Sequence, residues 1–238
     1  MRRLHFWQFA LITLLLLCLE GSANGKYTNT DEIDEALIAI GSGSTEDMKS
    51  RLFTHSFTVW NEEFRAQTIN ALPAALRDKR LTKGKLLDRV EPVLQRVLQL
   101  HGRIGKVELF IYLHDVPLAR LLRGCVLIIS AGLADPLCDD ELAGIISHEL
   151  GHSYFEDEMV AAQCSQDTRA MRLIELKCDG VAILSLKLLG HDPTHFLKGL
   201  QRIQIINKRK SLSSSLSQSH PDLVARARFS DRLIKSLS

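Results

Sequence analysis

A His-Glu-x-x-His motif places His148 and His152 four residues apart, with Glu149 next to the first histidine. On a helix, two histidines at this spacing project from one face, so their imidazoles can bind a single Zn²⁺. The metal lowers the pKa of a bound water to about 7, and the carboxylate of Glu149 is placed to accept a proton from it. These three residues therefore predict zinc-dependent hydrolysis of peptide bonds.

The motif lies in a segment with the pattern of an amphipathic helix. Acids at residues 139–141 favour a helix N-terminus through the helix dipole. Apolar residues then recur at helical spacing, at Leu142, Ile145, Ile146 and Leu150. An ordinary amphipathic helix with two surface histidines is the alternative interpretation. A candidate third ligand further along the chain favours the metal site.

That candidate is Glu175, which lies with Asp179 in a segment, residues 157–189, predicted to be largely helical. The spacing puts both acids on one helix face, one turn apart. A buried carboxylate requires a metal ion or an ionic partner. Burial of this helix is predicted from its apolar residues Val181, Ala182, Leu184, Leu188 and Leu189. Glu175 would complete a His₂Glu site, and Asp179 would accept the remaining ring N–H of a zinc histidine. A solvated acid pair is the alternative.

Three helices are predicted before the motif. A short one covers residues 31–40, and a long one covers residues 45–72 and is ended by Pro73. The third covers residues 86–100 and is closed by Gly102. After the acid pair, a helix over residues 194–206 and a short final helix are expected.

Two β-prone segments, residues 106–113 and 124–130, come directly before the motif. The predicted fold class is therefore α+β and mainly helical, with a small β-sheet preceding the zinc-binding helix. An edge strand of such a sheet can bind an extended peptide through main-chain hydrogen bonds, which confers little side-chain specificity.

The N-terminus has the pattern of an export signal. A basic stub at residues 1–5 precedes an apolar run over residues 6–19, and small residues end at Ala23. We expect residues 1–23 to be a signal peptide cleaved after Ala23. An uncleaved anchor is the alternative, but the run is short for a membrane span of about 20 residues.

Residues 24–80 are expected to form an N-terminal helical segment that joins the metallopeptidase domain, residues 81–238, in one compact domain. The 30 lysines and arginines nearly balance 28 acids, so the charge does not point to a nucleic-acid partner. Membrane association, if any, is expected to be peripheral.

Four cysteines follow the predicted cleavage site, at Cys125, Cys138, Cys164 and Cys178. In an oxidising compartment an even count favours disulfide bonds, but four cysteines allow three pairings and the sequence does not choose among them. A cysteine-rich zinc site is disfavoured because no Cys-x-x-Cys pair is present.

Several short motifs follow one another in a characteristic order. They are the His-Glu-x-x-His motif, Glu175 with Asp179, Gly190-His191-Asp192-Pro193, and Ser219-His220-Pro221 with Arg226. With these motifs the chain resembles the gluzincin metallopeptidase family of the CAAX prenyl proteases, HtpX and BepA. The resemblance extends over roughly residues 80 to 235.

The resemblance implies a zincin-like catalytic domain and a role for each matching residue. His148, His152 and Glu175 are the implied zinc ligands, and Glu149 is the implied general base. Asp179, His220 and Arg226 match the family's supporting positions around the site. His220 is expected to hydrogen-bond the oxyanion that develops during hydrolysis.

The expected function is that of a small exported member of this family in the periplasm. Its expected substrates are unfolded or misassembled envelope proteins, with outer-membrane proteins among them, which is a role in protein quality control. The alternative is a zinc-stabilised chaperone or outer-membrane assembly factor whose protease site is mostly closed. The intact Glu149 favours the enzyme, because a scaffold has no chemical use for that carboxylate.

Overall fold

The computed structural model describes residues 30–41, 44–53, 62–210 and 221–237. The first helices are α1 (Thr30–Ile40), α2 (Thr45–Leu52), α3 (Glu62–Asn70), α4 (Ala74–Arg77) and α5 (Lys85–Leu100). The middle of the chain forms β1 (Glu108–Tyr112), β2 (Ala119–Leu122), β3 (Val126–Ser130), α6 (Ala131–Ala134) and α7 (Asp139–Gly151). The last helices are α8 (Glu156–Ser165), α9 (Thr168–Leu188), α10 (Thr194–Arg209) and α11 (Leu223–Ser236).

The fold is mainly helical with one small sheet, so the predicted fold class is confirmed at this level. The strand order is β1-β3-β2, in which β3 is central and pairs parallel with β1 and antiparallel with β2. Every residue of β3 is buried, as expected for a central strand covered on both faces. The two predicted strands correspond to β1 and β3, and β2 was not predicted. It has only four residues and no alternation of apolar and polar side chains.

The helix that carries the motif, α7, packs most closely against α9. Two glycines of α7 permit this approach. A Cβ atom on Gly144 would lie 3.2 Å from the Phe196 main chain, and one on Gly151 would lie 3.0 Å from the Cα of Cys178. Because neither glycine has a side chain, α9 and α10 come close enough for their side chains to reach the motif.

The described part of the N-terminal segment packs on the same helices. In α1, Ile40 is fully buried and its side chain lies where a Cβ on Gly180 would stand. Glu32 of α1 forms an ion pair with Arg172 of α9 at 2.5 Å. The predicted helix over residues 31–40 is confirmed, and it covers the outer side of α9.

The prediction of a single helix over residues 45–72 is wrong. Helix α2 ends at Leu52, and its C-cap Phe53 leaves helical geometry with φ −103° and ψ 12°. The Phe53 ring stacks on Tyr154, with ring centroids 5.5 Å apart, and lies 4.4 Å from the His101 ring. These aromatic contacts with distant parts of the chain fix the helix end, and α3 is a separate helix.

The helical segment predicted over residues 157–189 is divided in two. Gln166 adopts a left-handed conformation with φ 55°, which ends α8. Asp167 then caps α9 by accepting a hydrogen bond from the Ala170 N–H at 2.9 Å. The predicted helices over residues 86–100 and 194–206 and at the C-terminus are confirmed as α5, α10 and α11.

The predicted signal peptide, residues 1–23, lies outside the described residues. Among the helices that the structure describes, none combines the length and the apolar character required to cross a membrane.

Candidate metal centre

The two histidines of the motif lie side by side at the C-terminal end of α7. His152 is the C-cap residue and keeps helical dihedral angles, φ −56° and ψ −29°, so its ring stays on the face of His148. The two rings meet edge to face with centroids 5.0 Å apart. The expected spacing on one helix face is therefore confirmed.

Glu175 of α9 brings its carboxylate to both rings. Its Oε2 lies 3.5 Å from His148 Nε2, and its Oε1 lies 3.7 Å from His152 Nε2. One ligand atom from each of the three residues lies within 4.8 Å of the others, which is close enough to hold a metal ion. Two imidazole nitrogens and one carboxylate oxygen form a donor set that leaves a fourth tetrahedral position for water.

Asp179 and Arg226 support His148 from behind. Asp179 is fully buried, and its Oδ1 accepts a hydrogen bond from His148 Nδ1 at 2.9 Å. Arg226 donates from Nε to Oδ2 of the same carboxylate at 2.8 Å and from Nη2 to Oδ1. The bidentate pair holds Asp179 in place, and Asp179 in turn orients the His148 ring with Nε2 towards Glu175.

This environment also sets the protonation of His148. Burial lowers the pKa of its imidazole, but hydrogen bonds to Asp179 and Glu175 outweigh that effect and raise the pKa to about 9. A metal ion bound at Nε2 would take the place of the proton that the two carboxylates attract. The same carboxylates that favour the imidazolium therefore favour a cation at this position.

Glu149 occupies a different position from the three ligand residues. It is half-buried, and its Oε2 accepts a hydrogen bond from the backbone N–H of Leu121 at 3.2 Å. Leu121 belongs to β2, an edge strand of the sheet. The sheet thus holds the carboxylate of the candidate base in place. The sequence could not predict this contact, because a backbone N–H donor is common to almost all residue types.

The structure therefore brings together six of the seven site residues expected from the sequence: His148, Glu149, His152, Glu175, Asp179 and Arg226. The seventh, His220, lies outside the described residues. Two further residues reach the site without having been predicted there. Phe196 of α10 stacks on the His148 ring with centroids 5.8 Å apart, and the Sγ of Cys178 lies 3.5 Å from His152 Nδ1.

The four cysteines are free thiols in the structure, so the disulfides expected from their even number do not form in it. Cys125 and Cys178 are buried inside the fold, whereas Cys138 and Cys164 are exposed. Burial raises the pKa of the Cys178 thiol well above its usual range, with the nearby carboxylates of Glu175 and Asp179 acting in the same direction.

Comparison with known proteins does not add to this picture. No protein-family model matches the chain, and no curated protein matches it. The resemblance to the gluzincins therefore depends on the motif residues of the sequence alone.

Proposed function

We propose that the protein is a zinc-dependent endopeptidase with a zincin-like catalytic domain. The observation that carries the proposal is the convergence of His148, His152 and Glu175 within 4.8 Å, next to the acid Glu149. A cluster built only to bind calcium or magnesium would consist of oxygen ligands, whereas two imidazoles and one carboxylate suit zinc.

When bound, zinc would supply a Lewis acid that polarises the scissile carbonyl and lowers the pKa of water. Glu149, held by the Leu121 N–H, accepts the proton of the attacking water and passes it to the leaving amine. Asp179 keeps His148 in the tautomer that presents Nε2. His220 is proposed, on the resemblance alone, to donate a hydrogen bond to the oxyanion.

The position of β2 supports a preference for extended polypeptide. This strand pairs with β3 on one side, and its residue Leu121 reaches Glu149 on the other. An extended peptide added along such an edge is recognised through its main chain. Main-chain recognition selects unfolded segments with little regard for side chains. The proposed substrates are accordingly unfolded or misassembled proteins, and the resemblance and the signal-like segment point to those of the envelope, including outer-membrane proteins.

The proposed location is the periplasm, because the signal-like residues 1–23 indicate export and the resemblance points to a periplasmic member of the family. No nucleic-acid partner is proposed, because basic and acidic residues are nearly balanced, 30 against 28. Contact with a membrane would be peripheral.

The test is casein degradation by purified chain that begins at residue 24. We expect activity that a chelator abolishes and that added zinc restores, together with one tightly bound zinc per chain. Protein that binds zinc but leaves casein and extended reporter peptides intact would contradict the enzyme. That result would favour the zinc-stabilised chaperone or assembly factor.

A further inference from the structure

The two candidate zinc histidines have different partners behind their rings. His148 donates to the buried carboxylate of Asp179 at 2.9 Å. On His152 the corresponding nitrogen, Nδ1, faces the Sγ of Cys178 at 3.5 Å. A neutral thiol sulfur is a weak hydrogen-bond acceptor, and a carboxylate is a strong one.

The helix geometry explains how a cysteine reaches this position. Glu175, Cys178 and Asp179 follow one another at the spacing of one face of α9, and that face meets α7. Gly151 of α7 lies opposite the thiol, since a Cβ there would stand 3.2 Å from Sγ. The sulfur is therefore enclosed between Gly151 and the His152 ring, and Cys178 has no exposed surface.

We infer that Cys178 is a positioning residue, whose Sγ accepts the Nδ1–H of His152 and so directs Nε2 of that ring to the metal. This inference rests on the metal site of the proposed function. It follows from the observed orientation, because Nε2 of the same ring already faces Oε1 of Glu175 at 3.7 Å. A histidine ligand needs such a partner to fix its tautomer and ring orientation.

The sulfur also makes the two histidines unequal as ligands. A carboxylate that accepts the N–H of a metal-binding imidazole makes that imidazole a more basic ligand, and a neutral thiol in the same place has a much smaller effect. His148 is therefore the stronger donor to the metal, while the Cys178 thiol orients His152 without adding a negative charge of its own. A zinc ion bound by these residues would keep more Lewis acidity than one with a carboxylate behind both rings.

The test measures zinc affinity by competition with a chromogenic chelator, and it does not depend on peptide hydrolysis. Cys178→Ala should weaken zinc binding about 10-fold, the lower end of the usual effect of removing a partner of a metal-bound histidine, because the thiol is a weak acceptor. Cys178→Ser restores an acceptor and should recover most of the affinity. Cys125→Ala is the matched control, because Cys125 is also buried but lies against Thr68, at 3.7 Å from its hydroxyl. It should bind zinc as the wild type does.

Thermal unfolding of the chelated proteins shows whether each variant folds. Should Cys178→Ala fail to fold, Cys178→Val fills the same space without an acceptor and should lose affinity to the same extent. Wild-type affinity in a folded Ala or Val variant would overturn the inference, as would a Ser variant that binds no better than the Ala variant. Zinc binding with the expected ranking but no hydrolysis by the wild type would instead overturn the enzyme and leave the role of Cys178 standing.

Discussion

The backbone N–H of Leu121 donates a hydrogen bond to Oε2 of Glu149 at 3.2 Å, so an edge strand of the sheet touches the candidate general base directly. The strand and the motif helix are separate elements, and this contact sets the position of the carboxylate relative to the sheet. A peptide lying along β2 would therefore pass next to the group that has to accept a proton. The contact links substrate binding and proton transfer in the proposed enzyme.

The substitution Glu149→Gln tests the base. Glutamine keeps an oxygen that can accept from the Leu121 N–H, but its amide cannot take a proton at neutral pH. We expect casein hydrolysis to fall by several orders of magnitude while zinc remains bound at one per chain. Glu175→Ala is the contrasting variant and should lose the metal itself. Activity of Glu149→Gln at the wild-type rate, in protein free of contaminating protease, would remove Glu149 from this role.

Arg226→Met tests the support behind His148. It leaves the fully buried carboxylate of Asp179 without the guanidinium that donates to it through Nε and Nη2. Removing one partner of a buried ion pair costs about 3–5 kcal/mol, and the free energy of unfolding of the chelated protein should fall by up to that amount, because His148 still donates to Asp179. Zinc affinity should fall as well, because Asp179 loses its fixed orientation.

Arg232→Met is the matched control for that experiment. Arg232 lies on the same helix, α11, and pairs with Asp34 at 2.6 Å, but about half of its side chain is exposed to solvent. Exposed pairs contribute at most about 1 kcal/mol. Denaturant unfolding of both variants therefore separates the buried pair from the surface pair. Equal losses in the two variants would show that Asp179 does not depend on Arg226.

A third prediction concerns acid stability and His101. This histidine is buried, with Nδ1 at 2.7 Å from the Tyr154 hydroxyl and Nε2 at 3.0 Å from the Ser185 hydroxyl. Burial, with a smaller contribution from the charge of Arg103, lowers the pKa of His101 from 6.5 to about 3. In the interval between these two values the unfolded chain binds a proton that the folded chain does not. The contribution of neutral His101 to the free energy of unfolding is therefore fully present above pH 6.5 and is lost as the pH falls towards 3.

The matched variant is His101→Gln, which can engage both hydroxyls but does not titrate. Its free energy of unfolding should fall less steeply with acid than that of the wild type, by up to about 1.4 kcal/mol per pH unit. Denaturant unfolding of the chelated proteins between about pH 7 and pH 5 measures the two slopes. Equal pH dependence of the two free energies of unfolding would mean that folded wild-type protein already binds a proton at His101 in this pH range, which would contradict the lowered pKa.

The sequence predicted which side chains come together at the candidate site better than it predicted the elements around them. His148 and His152 are spaced by the period of one helix, and so are Glu175 and Asp179, so local spacing alone indicates which side chains share a face. That the two faces meet depends on glycines such as Gly151, whose role appears only when α9 is seen to pack against it.

The errors arise where distant parts of the chain decide the local structure. Helix α2 ends at Leu52, and its C-cap residue Phe53 stacks its ring on Tyr154, about a hundred residues further along the chain. The short strand β2 exists because it pairs with β3, although its own four residues have no strand pattern. The surroundings of Cys178 are likewise set by distant residues, since its sulfur is enclosed between Gly151 and His152.

The last prediction concerns His220, whose role rests on the resemblance and on a physical requirement. Hydrolysis of a peptide places negative charge on an oxygen, and a donor at that oxygen stabilises the transition state more than the substrate. His220→Ala should therefore lower kcat by about 10²- to 10³-fold, the effect of losing one oxyanion donor, with little change in KM. Zinc content and thermal unfolding are measured on the same preparations and should stay close to the wild type.

The control measurements decide between catalysis and structure. His220 stands directly before Pro221, and a Ser-His-Pro turn can serve simply as a structural corner ahead of α11, the helix that carries Arg226. A corner that collapses would displace Arg226 and thereby Asp179, so zinc affinity and thermal stability would fall together with kcat. That combined loss would assign His220 to the structure of the site. An unchanged kcat in a folded, zinc-loaded variant would dismiss it from the reaction, because an oxyanion donor acts on that parameter first.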